Sequence, residues 1–249
     1  MATAVASSSV KVRAGLPGRK YDHVFFPAMA VLLLGSVFLG FARSYYLAGM
    51  FHAPLPHAII HVHGALFSSW ILFLLAQTTL VAAGRTDVHR RIGIAGFLLA
   101  CLMVVVGVGA ATNSLARNFA PPGVDAKTVY IIPITDMLIF SVLVFFAYRA
   151  RFDSAAHKRI IIIATVALMI AAIARWPFSA VQGNPLAAQL VSYTFLLMLV
   201  AYDLWSTRKI HRATIWASVF LIFVQLIRFP IGQGAMWHAF ATWAQNLRL

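Results

Sequence analysis

"HAIIHVHGALFSSWILFLLAQ", residues 57–77, sets His57, His61 and His63 at the mouth of a long apolar run. A helix needs roughly 20 apolar residues to cross the hydrocarbon core of a bilayer. The chain holds seven runs of that kind, at 24–47, 57–82, 91–113, 130–149, 158–176, 187–204 and 213–232. Composition agrees: 61% of the 249 residues are hydrophobic, 10% are charged, and mean hydropathy is +0.85. A soluble domain carries about a quarter charged residues. At this span length only a helix satisfies its own backbone in lipid. The expectation is an all-α integral membrane bundle of seven transmembrane helices.

Net charge is +14, from 20 Lys and Arg against six acids, every one Asp. In a soluble protein that balance would suggest nucleic acid. Here the basic residues sit in short loops between apolar runs. Arg85, Arg90, Arg91, Arg149, Arg151, Lys158, Arg159, Arg208, Lys209 and Arg212 fall on one side, together with those before residue 21. The positive-inside rule places the amino terminus in the cytoplasm and the carboxyl terminus outside, with the cell's inner (plasma) membrane as the expected location. The partners expected are the lipid bilayer and other membrane subunits or a second copy, with no nucleic acid.

Residues 1–22 are small, polar and basic without an apolar core, and read as a flexible cytoplasmic tail. Residues 23–234 form the membrane domain. In 235–249, Met236, Trp237, Phe240, Trp243 and Leu247 recur at helical spacing, which fits an amphipathic helix in the outer interface or one packed on the bundle. The single cysteine, Cys101, excludes an internal disulfide and a Cys-x-x-Cys-His haem attachment. The seventh run has no lysine to hold retinal.

The helices that leave the cytoplasm share an opening. Asp22-His23 precedes the first, Asp87-x-His89-Arg90-Arg91 the third and Asp153-x-x-x-His157-Lys158-Arg159 the fifth; Asp203 comes before His211-Arg212 at the seventh. The recurrence suggests a leading helix followed by repeated hairpins. Its simplest account is interfacial: Asp caps free N–H groups and Arg and Lys reach anionic headgroups. The alternative is a haem or proton path built on His89 and His157.

The outer ends are more unusual. Arg43, Arg175 and Arg228 reach a similar depth where the orientation rule predicts few, and Asp136 enters the fourth run from the same side. An intramembrane acid or base is a functional suspect. One reading is an internal Arg–Asp pair with two snorkelling arginines; the other is a polar cup holding an anionic or redox-active ligand. On a regular helix each residue turns about 100°. His57 and His61 then share a face, while His63 lies on another with Phe67, Trp70, Leu74 and Gln77.

Three chemistries can use the set of His57, His61, His63, Arg43, Asp136, Arg175 and Arg228. Haem b would take His61 or His63 as axial ligand and an arginine for its propionates. A quinone would exchange protons with a histidine and Asp136, with Trp176, Tyr45 or Tyr46 on the ring. A divalent metal would use His57 and His61 with Asp136. The metal ligands expected are thus His61 and His63, the second on a free ion only where the chain is still extended. There is no Glu, no His-Glu-x-x-His and no other catalytic motif; any enzymatic activity would be of oxidoreductase type.

"HVHGALFSSWILFLLAQ", "GRTDVHRRIG" and "HKRIIIIATVALMIAAIARWP" together resemble a poorly characterised bacterial family of multi-pass membrane proteins with a His-x-His-Gly helix and a His-Arg-x-x-Gly loop. The resemblance covers the second to fifth runs and implies no established activity. A looser similarity to b-type cytochrome membrane proteins rests on histidines at helix ends; the chain departs from it in lacking two membrane-spaced His pairs on facing helices. The function expected is a ligand site near the outer leaflet, for haem or quinone in electron transfer. The alternatives are a transporter or receptor for a small anion, or an assembly subunit.

Overall fold

The computed structural model describes residues 20–247 apart from Leu55 and Pro122. The expected amino-terminal tail therefore lies, through residue 19, outside the described residues. The elements are α1 (Asp22–Phe41), continued by a π-helical turn (Ala42–Tyr46), α2 (Ala58–Ala82), α3 (Thr86–Ala116), α4 (Ala126–Arg149), α5 (Ser154–Val166), α6 (Met169–Ile173), α7 (Pro185–Thr207), α8 (Arg212–Gly232) and α9 (Ala235–Gln245). Six are long and apolar enough to cross a membrane: α1 with its π turn, α2, α3, α4, α7 and α8. The protein is an all-α, multi-pass membrane bundle.

Polar residues set several helix starts. Asp125 accepts a bond from the Thr128 N–H at 2.8 Å and opens α4. Asp153 accepts from the N–H groups of Ala155 and Ala156 and opens α5. Asn184 accepts from the Ala187 N–H, with Pro185 at the first helical position of α7. His211 caps α8 through Nδ1, which accepts from the Ala213 N–H at 3.1 Å. Each acceptor satisfies a donor that the first helical turn leaves free.

The fifth apolar run differs from the single continuous helix expected. α5 stops at Val166, the Leu168 N–H bonds to the Thr165 carbonyl at 3.0 Å, and α6 resumes for little more than a turn. That bond closes a tighter, three-residue turn, without proline or glycine to force it. The interrupted segment is the centre of the bundle. From Arg159 to Ile173 every residue is buried except the half-buried Ile161 and Leu168 and the exposed Ala171. Gly40 of α1 rides directly on it: a Cβ there would lie 2.1 Å from the Ala172 carbonyl oxygen.

Side-chain bonds define two ends. At the basic end, Asp22 of α1 pairs with Lys158 of α5 and accepts from the Tyr202 hydroxyl of α7 at 2.7 Å. Beside it Asp203 of α7 receives Arg159 Nε at 2.9 Å, the Thr214 hydroxyl at 2.6 Å and the His211 N–H at 3.0 Å. At the far end α9 packs on α3 and α4. Trp237 donates to the Lys127 carbonyl at 2.7 Å and Gln245 to that of Leu115 at 3.2 Å, while Met236, Phe240 and Trp243 stay exposed. The stripe read from the sequence is thus divided, Trp237 packing on the bundle and the others facing outward.

Candidate functional site

The far-end residues singled out from the sequence separate into three groups. Arg228 is fully buried; its Nη1 donates to Asp136 at 2.8 Å and its Nη2 to Gln189 Oε1 at 2.8 Å. Gln189 in turn donates to the Tyr193 hydroxyl at 2.8 Å. The internal Arg–Asp pair therefore exists, and Gln189 is a partner that sequence reading missed.

Arg43 and Arg175 form the second group. Both are exposed and lie over aromatic rings, Arg43 5.6 Å from the Phe51 centroid and Arg175 5.0 Å from that of Phe41. Among the described residues neither has an acidic partner. Trp176 is turned inward, donating to the Ser36 carbonyl at 3.0 Å.

The histidines are the third group. Because α2 is helical from Ala58, His63 diverges from His61 as helix geometry requires. His57 is the exposed residue before the helix, with no side-chain cap bond. His61 is exposed, its ring 5.7 Å from that of Tyr45. His63 is half-buried, stacked on Phe67 at 4.0 Å, with Arg175 as its charged neighbour. Among the described residues no three of His, Cys, Asp or Glu gather as a metal-binding group.

A cavity of about 360 Å³ opens at the basic end, between the last turns of α2 and α4 and the first turns of α3 and α5. Trp70, Phe73, Phe97, Tyr148 and Phe152 supply aromatic walls; Arg90 and Arg151 stand with them. His89 and His157 face each other there, with ring centroids 6.3 Å apart and planes at 80°. His157 Nδ1 lies 2.8 Å from the Ala147 carbonyl oxygen. A carbonyl only accepts, so Nδ1 carries a proton, and in the neutral ring Nε2 keeps its lone pair. His89 Nδ1 and Gln77 Oε1, both at this cavity, are buried without a protein partner.

Gly96 shapes one wall, since a Cβ there would meet the Phe73 ring at 2.3 Å. Outside the spans, His211 is held below its ordinary pKa, first by burial and then by the positive charge of Arg159. Asp125 is also held low, chiefly by the hydrogen bond from the Thr128 N–H.

His89 and His157 were named in the sequence as the basis of an alternative haem or proton path; the packing brings these two residues, far apart in the chain, face to face. Gln77 carried a signal, being an amide late in an otherwise apolar helix. No family model matches the chain, and no curated protein or solved structure matches it. Its class is the one the fold defines: an integral, multi-pass helical membrane protein.

Proposed function

We propose that the protein is a cofactor-binding component of membrane electron transfer, with haem b held in the basic-end cavity between His89 and His157. The facing imidazoles carry this reading. Two metal–nitrogen bonds of about 2 Å each, plus the two half-rings, put imidazole centroids on either side of one metal roughly 6 Å apart; the rings here are 6.3 Å apart. The Ala147 carbonyl fixes the His157 tautomer and makes Nε2 more basic, the usual outer support of a metal-bound imidazole. Arg90 and Arg151 would suit the two propionates, and Trp70, Phe73 and Phe97 would line the macrocycle. When bound, the haem supplies one-electron transfer.

The cofactor expected at His61 or His63 is better served by His89 and His157, because the former pair diverges along one helix. Orientation supports a donor or acceptor on the cytoplasmic side. The chain makes seven crossings on this reading, with α5 and α6 together forming the fifth. α5 starts beside Asp22 and Asp203 at the basic end, and α7 starts near Asp136 at the other.

The test is an absorption spectrum of the detergent-purified protein, oxidised and dithionite-reduced, with haem extraction from the same sample. A Soret band is expected in the wild type and in His61→Ala and His63→Ala. It is expected to be lost in His89→Ala and His157→Ala. A haem-free wild type expressed with adequate haem supply would refute the reading and turn the search to extractable quinone.

A second reading rests on Arg43 and Arg175, two cations without acidic partners among the described residues. It makes the protein a transporter or receptor for a small anion. It predicts thermal stabilisation by phosphate or carboxylates that disappears in Arg175→Ala.

A further inference from the structure

The buried face of α8 carries a line of polar side chains through the apolar bundle. Thr214, Ser218, Gln225 and Arg228 recur on it at helical spacing. The two ends of the line are satisfied: Thr214 bonds Asp203, and Arg228 bonds Asp136 and Gln189. Its middle is not. Ser218 Oγ, both polar atoms of the Gln225 amide and Arg228 Nε are buried without a protein partner, four of the eight such atoms among the described residues. Gln225 and Arg228 are each 0% exposed.

A buried amide with neither donor nor acceptor satisfied is among the most costly features an apolar interior can hold, and native proteins satisfy such groups with protein or ordered water. The chemistry of the missing partner is narrow. Gln225 offers two donors and an acceptor, and Arg228 Nε offers a donor one turn away. The charge of Arg228 is already balanced by Asp136, which argues against an anion; the same guanidinium repels a cation. A small neutral molecule that both donates and accepts is required.

We infer that α8 holds an internal water site bridging the Gln225 amide to Arg228 Nε. It does not continue to Ser218 as a proton wire. Seven residues of helix place Ser218 and Gln225 about 10 Å apart along the axis, and a hydrogen-bonded chain needs a link about every 3 Å. Leu221, 0% exposed, fills the turn between them. The inference is independent of the cofactor reading, since no residue is shared with the cavity.

The test is X-ray radiolytic labelling of the full chain in nanodiscs, in ¹⁸O-enriched water. Hydroxyl radicals formed from bound water label the side chains beside it even where bulk solvent does not reach. Leu221 and Val224 neighbour Gln225 on α8, and Leu33 of α1, 0% exposed, is the dry control. Label is expected on Leu221 and Val224 and not on Leu33, with Val224 losing it in Gln225→Leu. Gln225→Met serves the same purpose should the leucine variant fail to fold. Leu221 and Val224 as unlabelled as Leu33, or a Val224 label undiminished in a folded Gln225 variant, would overturn the inference.

Discussion

Replacing Asp136 by alanine strands a fully buried charge, that of Arg228. Arg228 is 0% exposed and its Nη1 lies 2.8 Å from the Asp136 carboxylate. At 2.8 Å and an effective dielectric of about 20, Coulomb's law gives about 6 kcal/mol of gross attraction. Removing both charges from water offsets most of that, so the intact pair contributes little net stability. Removing one member is different, because the desolvation of the other then stands uncompensated, at about 3–5 kcal/mol. Gln189 still accepts from Nη2, which places Asp136→Ala near the lower figure.

The double variant Asp136→Ala/Arg228→Met removes both charges and keeps most of the pair's volume. What remains unsatisfied is Gln189 Oε1, a neutral acceptor worth about 1–3 kcal/mol. The double variant is therefore more stable than Asp136→Ala alone. Equilibrium unfolding in mixed detergent–dodecyl sulfate micelles, followed by circular dichroism, measures both. A double variant as unstable as the single, or less stable, would show that the stranded charge is not what the single substitution exposes.

Two further outcomes follow from the geometry. Burial and Arg159 hold His211 below its ordinary pKa of 6.5, and its neutral Nδ1 accepts the Ala213 N–H. The unfolded chain therefore binds the His211 proton more readily, and this residue's contribution to stability is complete above pH 6.5 and falls as pH drops toward the folded pKa. His211→Asn keeps a capping acceptor and should flatten that part of the acid loss, measured as the unfolding midpoint against pH; an unchanged slope would remove His211 from the account. Gly40→Ala drives a Cβ to 2.1 Å from the Ala172 carbonyl oxygen, while Gly35→Ala meets nothing within 4 Å. The first should cost about 1–3 kcal/mol through overpacking and the second should gain about 0.5–1 kcal/mol of helix propensity; equal midpoints for the two would contradict the close α1–α6 contact.

Much of the architecture was legible because lipid imposes a length and a polarity that the sequence must obey. The runs around 57–82 and 213–232 fall almost residue for residue on α2 and α8. The Arg228–Asp136 pair was legible as one of two readings, since an acid and a base at similar depth in separate runs have few other solutions. The break after Val166 was not, because Thr165 to Met169 contains neither proline nor glycine. Nor was the role of the shared opening uniform. Asp153 caps its own helix as expected, whereas Asp22 and Asp203 reach across to Lys158 and Arg159 of another hairpin. Local sequence shows the acid and the base but not which copy of the motif they bridge.

The burial of α5 and α6 bears on how the chain is assembled in the membrane. Helices entering lipid are ordinarily chosen for their preference for hydrocarbon, yet this segment ends with protein on nearly every side. Its Arg159 pairs with Asp203, which is synthesised 44 residues later, and its Thr165 hydroxyl accepts from the Trp70 indole N–H. Until α7 arrives, Arg159 at the basic end of α5 lacks that carboxylate. The fifth apolar run therefore completes its contacts only once helices made later than itself are present.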